Sequence, residues 1–522
     1  MSPEDSRQQP NELLDVLVVG AGISGIGAGW HLQHQCPTKS YAILEGRGDI
    51  GGTWDLFRYP GIRSDSDMYT LGYSFKPWTS DDAIADAPAI MAYLRETARE
   101  FGIDRKIRFR HFVTAASWDS DTARWAVEVE RRAADSDAVL ETLHIDCRFL
   151  FLCTGYYDYR HGYEPEFPGR ERFGGTVVHP QKWTEDIDHA GKRVVVIGSG
   201  ATAVTLVPAM ADTAAHVTML QRSPTYVVAR PQQDGLANWL RGHLPGRLAY
   251  ALTRWKNVLL GQYFYRKARS APEQVKQFIL DQIRPRLGDD YVAKHFTPTY
   301  APWDQRMCLV PDADLFTAIE QGRASVVTDE IETFTETGIR LRSGEALEAD
   351  LIVTATGLEM QFLSDIRVTV DGALVDLPQT MTYKGMMMSG VPNLAWSMGY
   401  TNASWTLKCD LTCGYVCRLL NHMDRKGYVQ ATPRITDPSL EEEPIMTLTS
   451  GYVQRAIAKF PKQGSRAPWK LYQNYLLDLI TLKFGRVDDG VIEFREPGPD
   501  ARSPADAAGT GAADDAGRRK AA

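Results

Sequence analysis

The strongest constraint in this sequence is that a glycine-rich turn between an apolar strand and a helix occurs twice. The first copy is DVLVVGAGISG at residues 15–25, and the second is RVVVIGSGATA at residues 193–203. A further apolar strand follows each copy, at residues 41–45 and 217–220. A strand, a G-x-G-x-x-G/A turn and a helix make up the dinucleotide-binding unit of doubly wound folds. The sequence therefore predicts an α/β protein with two Rossmann-like units.

The end of each unit supports this duplication. FLFLCTG at residues 149–155 and LIVTATG at residues 351–357 are both apolar strands that stop at a threonine-glycine turn. Repetition at both the beginning and the end of a unit fixes the architecture better than any single motif.

In the first unit, three glycines have separate tasks. Gly20 permits the tight turn, Gly22 lets the backbone approach a pyrophosphate, and Gly25 lets the helix pack on the strand. Glu45 comes twenty residues after Gly25, at the end of the second strand, where a carboxylate can accept hydrogen bonds from ribose hydroxyls. We expect these four residues to bind a dinucleotide.

The second unit differs at the end of its second strand, where Arg222 and Ser223 stand in place of an acid. A carboxylate there would repel a 2′-phosphate, whereas a guanidinium can hold it with two hydrogen bonds. We infer NADPH as its ligand; the alternative is that Arg222 is an ordinary solvated arginine. The other candidate contacts are Gly198, Ser199, Gly200, Ala201, Thr202, Ala203 and Val204.

Two such units in one chain commonly serve a flavin and the nicotinamide that reduces it. We assign residues 14–158 and 359–496 to an FAD-binding domain and residues 159–230 and 299–358 to an NADP-binding domain. Residues 231–298 are helical, basic and aromatic, and we expect a helical insertion in the NADP domain. We expect residues 1–13 and 497–522 to be disordered; the tail contains no Leu, Ile, Val or aromatic residue with which to form a core.

Composition excludes several classes of function. The formal net charge of -8 does not suit a nucleic-acid partner, which needs a basic surface. The seven cysteines have no paired spacing and favour reduced thiols in a cytoplasmic protein. Cys409, Cys413 and Cys417 lie at helical spacing without a His or acidic partner, so we expect a buried helix face and no metal site.

The stretch GRLAYALTRWKNVLLGQYFYRKAR at residues 246–269 combines basic and aromatic residues. Such a segment can lie on a membrane surface. We expect instead that the inserted helices pack on the protein, as amphipathic helices usually do.

Two longer patterns point to a family. Phe173, Gly175, His179 and Trp183 are spaced F-x-G-x-x-x-H-x-x-x-W. The second pattern has two small residues, a Trp, an aromatic-Pro-Gly turn and an Asp: Gly51, Gly52, Trp54, Tyr59, Pro60, Gly61 and Asp65. These two patterns occur together with both glycine fingerprints. In this combination the sequence resembles the flavin-dependent Baeyer-Villiger monooxygenases from residue 14 to about residue 496, most closely the ethionamide-activating branch.

The resemblance implies that FAD is reduced by NADPH and reacts with O2 to give a flavin C4a-peroxide. The peroxide would insert one oxygen beside the carbonyl of a small apolar ketone, giving an ester or lactone, and would also oxidise sulfides or thioamides. Met386, Met387, Met388, Trp396 and Trp405 suggest an apolar, adaptable substrate pocket; the alternative is a buried core, where methionine and aromatic runs more often belong.

The resemblance also implies roles for individual residues. Arg306 matches the active-site arginine, and Asp65 matches the carboxylate that pairs with it and lies beside the cofactor. We place His179 and Trp183 in the candidate catalytic set as residues that couple domain movement, not as acid-base catalysts. Ser24, Thr53, Trp54 and the backbone of Val113 match FAD-contacting positions. One departure is Gln305, because many family members have Lys before the arginine, where it helps hold the NADP phosphate.

Three alternatives remain at this stage. A flavin monooxygenase that oxidises only nitrogen or sulfur usually has Tyr or Phe in place of Trp183 and lacks the Asp65 and Arg306 pair. A flavin disulfide reductase needs a close redox cysteine pair, which the first unit does not display. A redox sensor that binds both cofactors without oxygenating a substrate would be distinguished by the absence of an oxygenated product.

Overall fold

The computed structural model describes residues 12–134 and 136–498. Most of the two ends predicted to be disordered therefore lies outside the described residues. The N-terminal boundary is corrected slightly, because Leu13 already belongs to the first strand, Leu13–Val19, and pairs with Asp146.

The first unit is built on a nine-stranded sheet. Its strand order is Ala373–Leu374, Arg367–Val370, His111–Asp119, Arg124–Arg132, Val139–Leu152, Leu13–Val19, Tyr41–Glu45 and Ile107–Phe109, and Leu394–Trp396 also pairs with Val139–Leu152. The fingerprint strand lies between two parallel neighbours. Helices Ile23–Gln35, Ala87–Glu100 and Trp405–Lys426 cover one face of this sheet and bury an apolar cluster that includes Ile26, Ile90 and Val416.

The second unit is a five-stranded, all-parallel sheet, in the order Ala324–Thr328, His216–Gln221, Arg193–Ile197, Leu351–Thr354 and Thr176–Val178. Its central strand, Arg193–Ile197, is apolar and buried, as parallel strands covered on both faces usually are. Helices Ala201–Ala211 and Asp314–Glu320 pack on the sheet. The predicted succession of strand, glycine turn and helix is confirmed in both units.

The two units are joined by a short antiparallel ribbon. Strand Tyr157–Gly162 leads out of the first unit, strand Leu358–Met360 leads back into it, and the two strands pair with each other. Both connections between the units therefore run side by side.

The inserted segment is helical, as predicted, with helices Gly235–His243, Gly246–Ser270, Pro272–Leu287 and Asp289–His295. One face of the long helix packs on the first unit: Arg254 donates to the carbonyl oxygens of Tyr69 and Gly72, each at 2.8 Å, and Tyr250 donates to that of Tyr73 at 2.9 Å. The opposite face is exposed. The prediction that these helices pack on the protein is therefore correct for one face only.

The remaining elements are short. The strands are Val227–Arg230, Cys308–Pro311, Ile331–Thr335, Gly338–Leu341, Ala346–Glu348, Thr382–Tyr383, Met387–Met388, Gln430–Pro433, Glu442–Pro444, Lys462–Gly464 and Ile492–Arg495, and the helices are Thr53–Leu56, Met68–Leu71, Gly451–Ala456, Tyr475–Asp478 and the π-helical turn Leu479–Phe484. Among the described residues, no helix is both long enough and apolar enough to cross a membrane.

Candidate active site

A single cavity of about 880 Å³ connects both glycine fingerprints. Its walls include Gly22 and Ser24 of the first fingerprint, residues 198–202 of the second, and Trp405 at the beginning of the long helix Trp405–Lys426. The volume is at the upper end of the range of about 300–1,000 Å³ usual for ligand sites. The cavity is therefore the site in which two bound dinucleotides would meet.

The glycines of the first fingerprint differ in what an added side chain would meet. A Cβ at Gly20 would lie 2.5 Å from the carbonyl oxygen of Cys153, and one at Gly25 would lie 1.8 Å from that of Gly20. A Cβ at Gly22 would meet only Gly52, at 3.7 Å across the cavity wall. Gly20 and Gly25 are thus required by packing, whereas the absence of a side chain at Gly22 leaves space for the pyrophosphate of a ligand.

Glu45 holds the fingerprint turn itself. One carboxylate oxygen accepts from the amide of Ala21 at 2.7 Å and the other from the amide of Arg47 at 2.8 Å. The side chain is buried, which raises the pKa of Glu45 despite these two hydrogen bonds. Glu45 is not among the residues that line the cavity. The structure therefore gives it a contact that the sequence did not predict, and its bonding to a ribose stays a prediction.

The other candidate flavin contacts are divided between the cavity and the core. Ser24, Thr53 and Trp54 line the cavity. The hydroxyl of Ser24 accepts from the indole N–H of Trp405 at 2.8 Å, which ties the fingerprint helix to the long helix. Val113 is buried in the strand His111–Asp119, outside the cavity wall, so its backbone contact to FAD stays a prediction.

The second fingerprint has a similar geometry. Gly198 has a φ of 139°, and a Cβ there would lie 2.3 Å from the carbonyl oxygen of Ala355. Nothing lies within 4 Å of the position that a Cβ on Gly200 would occupy. Gly200 also precedes the helix Ala201–Ala211, which has no side-chain cap, and the first amides of a helix have no partner within it. The arrangement matches a phosphate site at a helix N-terminus.

Arg222 and Ser223 lie at the end of strand His216–Gln221 and open into the same cavity. Arg222 is exposed and forms no ion pair within residues 12–134 and 136–498. The carbonyl oxygen of Ser223 accepts from the hydroxyl of Ser199 at 3.2 Å. Ala203 and Val204 face the core of the second unit instead of the cavity. A guanidinium is therefore available beside the open helix N-terminus.

Arg306 and Asp65 form an ion pair inside the cavity, with 2.7 Å between the guanidinium nitrogen and the carboxylate oxygen. About a third of each side chain is accessible, and both line the cavity. The negative charge of Asp65 raises the pKa of Arg306, even though desolvation acts in the opposite direction. The arginine is therefore a permanent positive charge at the centre of the site.

The loop that carries Arg306 is anchored by its neighbour Asp304. The carboxylate of Asp304 accepts from the amide of Ala301 at 3.1 Å and pairs with Arg269 of the long inserted helix at 2.6 Å. Its carbonyl oxygen accepts from the amide of Thr449 at 2.8 Å. The position of Arg306 thus depends on the insertion and on the C-terminal part of the chain.

Three tyrosines surround Arg306, and we did not single them out from the sequence. Tyr156, Tyr157 and Tyr452 all line the cavity. Burial raises the pKa values of Tyr157 and Tyr452, so both phenols are protonated at neutral pH. The aromatic run YYDYRHGY directly after the threonine-glycine turn is a local signal for Tyr156 and Tyr157, whereas the sequence around Tyr452 carries none.

His179 contacts the ribbon between the two units. Its Nε2 lies 3.1 Å from the carbonyl oxygen of Gly357, and its Nδ1 accepts from the amide of Gln181 at 3.2 Å. Because a carbonyl only accepts, the ring is the neutral Nε2–H tautomer. Burial also lowers the pKa of His179. The ring fills the space beside Gly162, where a Cβ would lie 2.1 Å from it.

Trp183 is buried among Val194, Val204 and Leu351 in the core of the second unit. Neither His179 nor Trp183 lines the cavity. Trp183 lies in the core of the second unit and His179 contacts the ribbon; their role in docking the two units stays a prediction.

The predicted methionine pocket is wrong in most of its members. Met386, Met387 and Met388 are fully buried in the core, and Trp396 is 3% exposed. Of the five residues proposed for the pocket, only Trp405 lines the cavity. Met386 and Met387 belong to the apolar cluster that contains Ile26 and Val416, and Met388 belongs to the cluster that contains Trp396.

The chain matches the family model for flavin-binding monooxygenase-like proteins over residues 82–386, which is more than half of its length. The model for NAD(P)-binding Rossmann-like domains matches residues 18–83. The FAD-containing monooxygenase EthA of Mycobacterium tuberculosis is 55% identical over 491 residues, covering 94% of this chain and 99% of that relative. EthA of Mycolicibacterium smegmatis is 52% identical over 485 residues, covering 92% and 97%.

Solved structures share the fold. A steroid monooxygenase bound to NADP superposes with a TM-score of 0.71 at 23% identity, covering 93% of this chain and 100% of that one. Cyclohexanone monooxygenase in an open form gives a TM-score of 0.70 at 19% identity with the same coverage. These similarities confirm the predicted fold of two dinucleotide-binding units. The chain belongs to the flavin-binding monooxygenase family and is an FAD-dependent enzyme that uses NADPH.

Proposed function

We propose that the protein is a Baeyer-Villiger monooxygenase that inserts one oxygen atom beside a ketone carbonyl. In the balanced reaction, a ketone, O2, NADPH and a proton give an ester or lactone, water and NADP+. One oxygen atom enters the new carbon–oxygen–carbon link and the other leaves as water. When bound, FAD would activate O2 after NADPH has reduced the flavin. Small apolar sulfides or thioamides are further proposed substrates.

The observation that carries this proposal is the Arg306–Asp65 pair in the cavity between the two fingerprints. Insertion beside a carbonyl needs a negatively charged oxygen nucleophile and develops negative charge on the carbonyl oxygen. A preorganised positive charge at the position where negative charge develops is the strongest stabilisation that an enzyme can offer. Arg306 supplies it, and Asp65 orients the guanidinium and moderates its charge.

Tyr157, Tyr452 and Cys308 add no negative charge beside the pair, and aromatic rings line the cavity. Burial keeps Tyr157 and Tyr452 protonated and raises the pKa of the Cys308 thiol to about 12, so no additional anion forms beside Arg306 near neutral pH. Tyr156 and Trp405 pack with 5.1 Å between their ring centroids, and both line the cavity. A water-poor site prevents loss of the activated oxygen as hydrogen peroxide.

The test is oxygenation of a panel of ketones and sulfides by the purified holoenzyme with NADPH and ¹⁸O₂, read by mass spectrometry. We expect esters carrying one labelled oxygen atom. Arg306→Lys and Asp65→Asn should retain FAD and lower the rate of ester formation by at least about a hundredfold, as loss of one transition-state donor typically does.

The matched control is Arg434→Gln, which breaks an exposed arginine–carboxylate pair with Glu493 outside the cavity. It should form ester at the parent rate. Sulfoxides without any ester would favour an enzyme that oxidises only nitrogen or sulfur. Ester formation by Arg306→Lys at the parent rate would show that the charge comes from another residue.

A further inference from the structure

The long inserted helix, Gly246–Ser270, exposes an apolar face. Its members, each between 42% and 63% exposed, are Leu248, Leu252, Trp255, Leu259, Leu260 and Tyr263. Five of them are three or four residues apart and lie along one side of the helix, over about 22 Å, and Leu260 widens this side. The opposite side is fixed on the first unit through Arg254 and Tyr250, so the apolar face cannot turn inward.

A neighbouring segment extends this face. Leu477, Ile480 and Phe484 are between 44% and 70% exposed. The ring of Tyr475, just before them, lies 6.1 Å from that of Trp255. We call these nine exposed residues, the six of the helix and the three of this segment, the outer surface. Contiguous apolar patches of this kind on soluble proteins mark interaction sites.

The charge of this region selects the partner. Residues 235–270 contain seven Lys or Arg and no Asp or Glu, in a chain whose formal net charge is -8. Four of the seven are paired with acids from other parts of the chain: Arg241, Arg254, Lys256 and Arg269. Arg247, Arg266 and Lys483 form no ion pair in the part of the chain that the structure describes. A second copy docked through the same patch would bring these like charges together. An anionic lipid surface complements them.

We propose that the outer surface docks the enzyme on an anionic lipid bilayer, with the helix lying in the interfacial plane. Apolar side chains would enter the acyl boundary, Trp255 and Tyr263 would lie at the headgroups, and the basic residues would contact lipid phosphates. Val258, on the inner side of the same helix, packs with Tyr400, which lines the cavity. The docked bilayer would thus be separated from the cavity wall by one helix, about 10 Å thick.

The test is flotation of the FAD-loaded enzyme with vesicles of phosphatidylcholine and phosphatidylglycerol at a ratio of about 7:3. We expect co-flotation that weakens between about 0.1 M and 0.5 M salt and is much weaker with phosphatidylcholine alone. The double variant Leu252→Glu/Leu259→Glu should lower the bound fraction about tenfold or more, because two apolar side chains that would enter the bilayer are replaced by charged ones.

The control is Leu140→Glu/Leu374→Glu, which changes two leucines of similar exposure in the first unit. It should float like the parent enzyme. Both double variants should retain FAD and oxidise a water-soluble ketone at the parent rate. The proposal is overturned if the parent enzyme does not float, or if both double variants float equally. A mass that halves by light scattering in Leu252→Glu/Leu259→Glu without lipid would identify the surface as an interface between copies.

Discussion

At the scale of single residues, the site is defined by two arginines with different tasks. Arg306 is paired with Asp65 inside the cavity, which raises its pKa and fixes its orientation. Arg222 is exposed at a strand end and faces the same cavity beside the open helix N-terminus. We propose that the first acts on the reacting oxygen and the second on the 2′-phosphate of NADPH, since Gln305, beside Arg306, carries no charge that could hold the phosphate.

The role of Arg222 can be tested by comparing the KM for NADPH with the KM for NADH. Arg222→Gln should raise the KM for NADPH about ten- to a hundredfold, because a charge-assisted hydrogen bond contributes about 1.5–3 kcal/mol. The KM for NADH should hardly change. The measurement is steady-state kinetics with both nucleotides, and the control is Arg230→Gln at the exposed end of strand Val227–Arg230. An unchanged KM for NADPH would place the phosphate elsewhere.

At the scale of elements, each fingerprint glycine is required for a different reason. Gly198 is required by its backbone, because its φ of 139° and the nearby carbonyl oxygen of Ala355 leave no room for a Cβ. Gly200 has an ordinary φ of -79° and open space around it. Its lack of a side chain therefore serves a ligand and not the fold.

This difference predicts opposite behaviour for two alanine variants. Gly200→Ala should keep the apparent Tm of the parent enzyme and raise the KM for NADPH at least about tenfold, because the new methyl group occupies the approach of the pyrophosphate. Gly198→Ala should lower the apparent Tm, since the strained turn must shift. Thermal melts and kinetics measure both effects.

The control for these variants is Gly414→Ala in helix Trp405–Lys426, where a Cβ would also meet nothing within 4 Å. It should keep both the apparent Tm and the KM within error or gain slightly in stability. Normal NADPH kinetics in Gly200→Ala would mean that the pyrophosphate does not approach the helix at this residue.

At the scale of the whole molecule, the chain crosses between the two units along one two-stranded ribbon. The ribbon of Tyr157–Gly162 and Leu358–Met360 carries the chain in both directions. His179 packs against this ribbon at Gly162 and Gly357, while Trp183 is buried in the second unit. A movement of one unit relative to the other, as in enzymes that close on their substrates, must therefore change the contacts of His179.

His179→Ala should uncouple NADPH oxidation from product formation. Without the ring, the connection loosens and the activated oxygen is lost as hydrogen peroxide before it reacts with the ketone. The measurement is the ratio of ester formed to NADPH consumed, together with hydrogen peroxide; we expect the ratio to fall severalfold while FAD content stays constant. The control is His144→Ala, an exposed histidine on strand Val139–Leu152, which should leave the ratio at the parent value. Equal coupling in parent and His179→Ala would refute the docking role.

The sequence by itself determined the architecture and much of the site. The fingerprints at Gly20 and Gly198 predict strand, turn and helix from local patterns, because glycine positions and apolar runs are set by neighbours close in sequence. The pairing of Asp65 with Arg306, 241 positions later, came only from resemblance to a family. Nothing local links those two residues, and the structure places them 2.7 Å apart.

The tertiary structure alone decided which apolar residues are buried. The methionine run and the long inserted helix are both rich in apolar side chains, yet Met387 is fully buried and Leu259 is 51% exposed. Helix Gly246–Ser270 carries apolar residues on two sides, so its pattern does not reveal which side packs. The contacts of Arg254 and Tyr250 with the first unit make that choice and leave the other side to solvent or a partner. Burial is a property of the surrounding elements, and these are distant in sequence.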